Sequence, residues 1–116
     1  MKLMPEIVTE SRNDNCLTFD LRVPADLVHF DGHFPQAPVL PGVVQVDWVV
    51  RLARRHLPGL DSGYDISTLK FQALVRPNMF LTLCLDYDSS RHSLQFRYRD
   101  AQRICSSGRI RFERGA

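Results

Sequence analysis

The sequence has few cysteines and no long apolar run. Its three cysteines, Cys16, Cys84 and Cys105, are an odd number without the spacing of metal ligands, which argues against a disulfide framework and against a zinc site. We therefore expect reduced, partly buried thiols within strands, and no metal. No stretch reaches the length of a membrane span, and the first residues lack the apolar core of a secretory signal. The expected location is the cytoplasm.

The net charge of the chain is also small. The formal net charge is only +2 at pH 7, although 24% of the 116 residues are charged. A balance so close to neutrality argues against nucleic acid as a partner. With 44% hydrophobic residues, the composition fits one compact domain over residues 1–116 rather than a disordered or membrane chain.

One apolar segment predicts a long helix. From Val39 to Val50, only Gln45 and Asp47 carry strongly polar side chains, so the segment should bury most of its faces. An unpaired buried carboxylate is costly, and Asp47 therefore needs a partner or a function.

The predicted helix runs from about Pro41 to His56. Proline suits the first helical turn, because its φ is already helical and its missing N–H has no partner there in any case. The run Leu57-Pro58-Gly59 is typical of a helix end.

Alternation of apolar and polar residues predicts the strands. They run from Glu6 to Glu10, Cys16 to Val23, Tyr64 to Ala73, Met79 to Tyr87, His92 to Arg99 and Arg103 to Glu113. A structured loop from Pro24 to Pro38 precedes the helix. The pattern indicates an α+β fold, in which an antiparallel sheet of five or six strands wraps one long helix. Because one helix covers only part of a sheet face, we expect a second copy to cover the rest.

The loop and the start of the helix carry a specific motif. In the pattern F-x-G-H-F-P-x-x-P-x-x-P-G, the fixed positions are filled by Phe30, Gly32, His33, Phe34, Pro35, Pro38, Pro41 and Gly42. This segment resembles the active-site region of the hot-dog-fold 3-hydroxyacyl-[acyl carrier protein] dehydratases. Asp47 falls at the position of that family's helical acid, with Gln45 just before it. A weaker match covers Lys70-Phe71, Val75 and Pro77-Asn78.

The resemblance implies a lyase that needs no cofactor. It would dehydrate a 3-hydroxyacyl thioester on an acyl carrier protein to the trans-2-enoyl product, in fatty-acid, polyketide or aryl polyene biosynthesis. The chain is similar in size and helix sequence to the small stand-alone dehydratases of aryl polyene pathways. By resemblance, the protein forms a homodimer or a higher homo-oligomer, in which His33 and Asp47 come from opposite subunits and flank an acyl tunnel.

The chemistry of water elimination assigns a role to each candidate residue. It requires a base for the proton next to the carbonyl, charge stabilisation on the thioester oxygen, and a proton for the departing hydroxyl. His33 suits the first task, since a free imidazole has a pKa of about 6.5, close to cellular pH. The N–H groups of Gly42 and Val43 at the helix start suit the second task. Asp47 suits the third, as acid or as orienter of the hydroxyl. Three further residues are candidates for the lining of the substrate site: Phe34, Pro41 and Trp48.

Each role has a structural alternative. His33 could simply brace its loop by a hydrogen bond to a backbone carbonyl. Arg51 lies one turn after Asp47, where the two could form a helix-surface ion pair, and related dehydratases commonly have Gln at that place. A neighbouring cation favours the ionised carboxylate and would make Asp47 a poorer proton donor. Trp48 could belong to the core or to a dimer interface rather than to the substrate site.

Three arginines near the end of the helix have two possible uses. Arg51, Arg54 and Arg55 match the negative end of the helix dipole, which is the structural interpretation. They could also steer an acidic carrier protein to the tunnel.

Two other functions fit the same scaffold. One is a hot-dog acyl thioesterase, and the other is a non-catalytic acyl-binding or complex-forming subunit weakened by Arg51. The mass of a 3-hydroxyacyl carrier substrate separates the three functions by loss of water, loss of the acyl group, or no change.

Overall fold

The computed structural model describes residues 2–30 and 38–114. These residues form strands β1 (Glu6–Asn13), β2 (Cys16–Arg22), β3 (Tyr64–Phe71), β4 (Phe80–Asp88), β5 (Ser93–Arg99) and β6 (Ile104–Phe112), helix α1 (Gly42–His56), and a short 3-10 turn at Val28–Phe30. The strands form a six-stranded sheet in the order β1-β2-β4-β5-β6-β3. Every neighbouring pair is antiparallel. The predicted α+β architecture of one helix and one antiparallel sheet is confirmed.

The sheet has one apolar face and one polar face, because successive side chains of a strand point to opposite sides. Leu94, Phe96 and Tyr98 of β5 are buried, whereas Gln95 and Arg97 between them are exposed. The same alternation buries three leucines of β4 and three apolar residues of β2. The core therefore lies on the side of the sheet where α1 packs.

Helix α1 buries most of its surface, with one open strip. Its buried residues are Val44, Gln45, Val46, Trp48, Val49, Val50, Leu52 and Ala53. Val43, in contrast, is 77% exposed. The helix starts one residue later than predicted, since Pro41 is its N-cap, and the N–H of Leu57 ends it with a bond to the carbonyl of Ala53. No part of the described chain forms a helix long and apolar enough to cross a membrane.

Strand β3 is an edge of the sheet, paired only with β6. All eight of its residues are exposed, including Tyr64, Ile66, Leu69 and Phe71. An edge strand presents unpaired backbone groups, and this edge adds apolar side chains to them.

The cysteines lie in strands, as predicted, and are free thiols, but they differ in burial. Cys105 is buried and Cys84 is half-buried, whereas Cys16 is exposed. The expectation of partial burial is therefore wrong for Cys16, which is the first residue of β2 and precedes the buried Leu17.

Candidate active site at the start of helix α1

The first turn of α1 offers two backbone donors. Pro41 adopts an extended conformation as the N-cap, and no side chain caps the helix. The carbonyl of Pro41 accepts hydrogen bonds from the N–H groups of Val44 and Gln45, at 3.1 and 3.2 Å. The N–H groups of Gly42 and Val43 have no partner within residues 2–30 and 38–114. Free N–H groups at the positive end of a helix dipole are suited to a developing negative oxygen.

The ring of Phe71 lies directly against Gly42. A Cβ atom added at Gly42 would sit 2.3 Å from Cζ of Phe71, closer than real carbon atoms approach. The aromatic ring fills the space that a side chain at this position would need. Phe71 itself is 51% exposed and forms a wall beside the two donor N–H groups.

Asp47 lies one to two turns into the helix and is half-exposed. The expectation that the helix would bury this carboxylate is wrong for the single chain, since 47% of its side chain is accessible. Nε of Arg51 donates to Oδ2 of Asp47 at 2.8 Å. An exposed pair with this i,i+4 spacing contributes only about 0.3–0.5 kcal/mol, so it is easily broken. The ion-pair alternative is therefore present in the structure and leaves one carboxylate oxygen without a bond to a described residue.

Val43 and Asp47 lie one turn apart on the exposed side of α1. Asp47 lines an open groove with Val50, Arg51, Arg54, Arg55 and Tyr64. At one end of the groove the ring of Phe71 touches Gly42, and at the other end the guanidinium of Arg54 lies 5.8 Å from the ring centroid of Tyr64. We call this space the edge groove. The edge groove comprises these residues, Val43 of α1, and the exposed side chains of Ile66, Leu69 and Phe71 farther along β3.

The register of β3 explains why its side of the edge groove is apolar. Ile66 lies opposite the buried Ile110, and Phe71 lies opposite the buried Ser106. Opposed residues of an antiparallel pair share a face, so these β3 side chains point to the helix side of the sheet. They remain exposed because α1 does not extend over the edge strand. The groove is thus an apolar shelf with a carboxylate and two free amide donors along one wall.

Trp48 does not line the edge groove. Its side chain is fully buried, and its indole N–H donates to the carbonyl of Leu3 at 3.0 Å. This placement agrees with the alternative of core packing. Its neighbour Asp47 faces the groove because consecutive helical residues point about 100° apart.

The three arginines of α1 have different environments. Arg54 donates to the carbonyls of Leu60 and Ser62, at 2.6 and 2.7 Å, so it braces the connection between α1 and β3. Arg51 is held by Asp47. Arg55 is exposed and forms no ion pair with a described residue. Of the three, Arg55 is the one left available for an acidic partner.

Two predicted site residues, His33 and Phe34, lie outside the described residues. The chain is described again from Pro38 onward, and the N–H of Leu40 donates to the carbonyl of Val75 at 2.7 Å. This bond fixes the chain just before Pro41 and Gly42. The segment with His33 therefore joins the helix at the end where the two free donors lie.

Three residues near the site carry little signal in the sequence. Phe71 belongs to the weaker motif, and nothing in the sequence joins it to Gly42. Tyr98 and Ser106 lie within predicted strands, and both bond to Gln45 of α1. The polar Gln45 within an apolar helix was the one signal that a buried polar partner was needed.

Comparisons with known proteins cover most of the chain. The family model described as ApeI-like, ApeI dehydratase, matches residues 9–109. A chain of the dehydratase heterocomplex ApeI:P from Xenorhabdus doucetiae is 35% identical, with a TM-score of 0.88 over 98% of this chain and 100% of that chain. An uncharacterized protein from Erwinia carotovora subsp. atroseptica is 32% identical, with a TM-score of 0.80 over 96% of this chain and 97% of that one.

A more distant structure shares the fold alone. The dehydratase domain of PpsC from Mycobacterium tuberculosis, solved with C12:1-CoA, is 14% identical, with a TM-score of 0.74. The match covers 95% of this chain and 44% of that one. A search of curated proteins found no match.

Proposed function

Because the chain belongs to the ApeI-like family of hot-dog dehydratases, we propose that it removes water from a 3-hydroxyacyl thioester carried on an acyl carrier protein. The product is the trans-2-enoyl thioester, as required in aryl polyene, polyketide or fatty-acid assembly. The observation that carries the proposal is the edge groove, in which the Asp47 carboxylate and the unpartnered N–H groups of Gly42 and Val43 line one wall of an apolar shelf.

The reaction assigns one task to each group. His33 takes the proton from the carbon next to the thioester carbonyl, and the electron pair moves into the new carbon–carbon double bond. The N–H groups of Gly42 and Val43 stabilise the negative charge on the thioester oxygen while the bond forms. The C–O bond breaks and the 3-hydroxyl leaves as water, with a proton from Asp47 or, where Asp47 only holds the hydroxyl in line, with the proton that His33 has taken. Pro41 and Phe71 flank the two donors, and Phe34 is a further lining residue.

The proposed enzyme is at least a homodimer, joined through β3. The strand is an edge with apolar residues on the side of α1, and a second copy would cover both the strand and the edge groove. Ile66 and Leu69, which are 43% and 39% exposed, are the central contacts. His33 of one copy then completes the groove that holds Asp47 of the other. The related Xenorhabdus doucetiae chain belongs to a dehydratase heterocomplex, which supports assembly with a second chain.

The carrier protein approaches the open end of the edge groove. Arg55 is exposed there and has no described ion partner, and Arg51 is 61% exposed beside Asp47. These two cations, with Arg54 behind them, attract the acidic surface of a carrier protein. A matched pair of reversals tests this contact: Arg55→Glu should slow turnover at low salt, whereas Arg91→Glu on the β4–β5 turn should not.

Mass analysis of the carrier-bound acyl chain tests the reaction. We expect wild-type protein to remove one water from a 3-hydroxyacyl carrier protein and His33→Ala to remove none. Loss of the whole acyl group would instead identify a thioesterase. An unchanged mass would favour the non-catalytic alternative, for which the Asp47–Arg51 ion pair is the one supporting observation.

A further inference from the structure

A cluster of buried polar groups ties the first turns of α1 to the sheet. Gln45 is 3% exposed, and neither Tyr98 nor Ser106 has any exposed surface. The hydroxyl of Ser106 donates to Oε1 of Gln45 at 2.7 Å, and the hydroxyl of Tyr98 donates to the backbone carbonyl of Gln45 at 2.7 Å. The Gln45 amide in turn donates from Nε2 to the carbonyl of Leu40 at 3.2 Å. One helical residue is thus held by β5, by β6 and by the chain that enters the helix.

Apolar packing alone would hold the helix less specifically. Valine and leucine side chains tolerate small rotations and shifts of a helix, because dispersion contacts have no fixed direction. Hydrogen bonds depend on distance and angle, and a buried amide that loses its partners costs about 1–3 kcal/mol. A rotated or shifted α1 would leave Gln45 unpaired. The cluster therefore selects one rotation and one axial position.

That position determines where the proposed reacting groups lie. Gly42 and Val43 precede Gln45 by less than one turn, and Asp47 follows it by two residues. The three groups share the same two turns of the helix, so they move with Gln45 as one body. The bond to Leu40 also fixes the chain just before the two donor N–H groups.

We propose that Gln45, Tyr98 and Ser106 are positioning residues, which aim the donor N–H groups of Gly42 and Val43 and the carboxylate of Asp47 into the edge groove. The inference rests on the proposed dehydratase function but concerns side chains that never touch the substrate. Misplacement by about 1 Å at a reacting group can lower a rate by about 100-fold, so a small loss of alignment is measurable.

Tyr98→Phe is the direct test, because it removes one hydroxyl and keeps the aromatic ring. We expect kcat for water loss to fall by about 10- to 100-fold with KM changed by less than about twofold, since alignment affects the transition state more than substrate binding. Tyr87→Phe is the matched control. It removes the hydroxyl of a half-buried tyrosine on β4 that has no hydrogen bond to Gln45, and it should leave both constants unchanged.

Ser106 provides a second variant with its own control. Ser106→Ala should lower kcat in the same way, and Ser106→Thr, which keeps the hydroxyl, should restore most of it. Ser93→Ala removes a buried serine of β5 outside the cluster and should have no effect. If Tyr98→Phe does not fold, the Ser106 series decides the proposal.

A measurement without turnover separates this inference from the proposed function. The backbone amide resonances of Gly42 and Val43 should shift in Tyr98→Phe and stay in place in Tyr87→Phe. In an active enzyme, the proposal requires both the shift and the fall in kcat, and the absence of either overturns it. If the wild-type protein removes no water from any 3-hydroxyacyl substrate, the proposed function fails. The amide shifts alone then decide whether the cluster positions the helix.

Discussion

Nε of Arg51 donates to Oδ2 of Asp47 at 2.8 Å, which places a cation against the carboxylate proposed to take part in dehydration. The pair is exposed on both sides, with 61% and 47% of the two side chains accessible. It competes weakly with water, and a substrate hydroxyl could displace it. The proposed role of Asp47 thus depends on how readily its ion pair with Arg51 breaks.

Arg51→Gln should raise kcat by about two- to threefold. Removal of the ion pair frees the carboxylate at a cost of about 0.5 kcal/mol, and that energy corresponds to a rate factor of this size. Arg55→Gln is the control, since Arg55 carries the same charge without a bond to Asp47. A fall in kcat for Arg51→Gln would show that the guanidinium takes part in the reaction.

Asp47→Asn should lower kcat by about 100-fold or more, because an amide cannot supply the proton. Asp86→Asn changes an exposed carboxylate on the outer face of the sheet and should retain full activity. The melting temperatures of both variants should stay close to that of the wild type. Activity that survives Asp47→Asn would refute the role of this residue.

Gly42→Ala should separate folding from activity. The added Cβ meets the far end of the exposed Phe71 ring, which can swing away, while alanine favours the helix by about 0.5–1 kcal/mol over glycine. We therefore expect a change in unfolding free energy of less than about 1 kcal/mol, together with lower turnover, because the displaced ring enters the edge groove. Chemical denaturation and kinetics on the same sample measure the two effects. A loss of several kcal/mol would mean that the ring is held in place.

Ile66→Lys should convert the proposed dimer to monomers. The lysine charge would be buried where a second copy covers β3, and an unpaired buried charge is expensive. Phe80→Lys is the control, since Phe80 is 66% exposed on β4, away from that edge. Light scattering of both variants reports the mass. Dimers that persist in Ile66→Lys would exclude the β3 edge as the interface.

The stability of the protein should fall at alkaline pH through Tyr98. Burial, and next the charge of Asp47, raise the pKa of Tyr98 well above its ordinary value of 10.0. Because the pKa is raised by folding, Tyr98 ionises first in the unfolded chain. The contribution of Tyr98 to the free energy of unfolding is therefore complete below pH 10.0 and declines as pH rises further. Thermal melting of wild type and Tyr98→Phe from neutral pH upward should show a steeper decline in the wild type. Parallel curves would contradict the assignment.

Much of the fold was predictable, because local patterns specify it. The alternation of apolar residues located the strands from Cys16 onward, and Pro41 with the Leu57-Pro58-Gly59 run marked both ends of α1 to within one residue. The first strand was predicted too short, since β1 continues to Asn13 through polar, exposed residues that give no alternation. An apolar–polar period marks a strand with one buried face, and a strand exposed on both faces shows no such period.

The site was less predictable, because it depends on contacts between distant segments. Gly42 meets Phe71, and Gln45 meets Tyr98 and Ser106, across separations that no local pattern encodes. The exposure of Asp47 was missed for a related reason. Its apolar neighbours on the helix indicated burial, but an edge strand lies beside its face, and α1 leaves that edge uncovered.

The unpartnered N–H groups of Gly42 and Val43 make the start of α1 a natural reporter. Amide hydrogens that bond to no carbonyl exchange with solvent deuterium much faster than those inside a helix. A thioester oxygen bound by these two N–H groups would slow exchange at Gly42 and Val43 and hardly elsewhere. Occupancy of the groove could thus be read from two peptide groups, with no label or chromophore on the acyl chain.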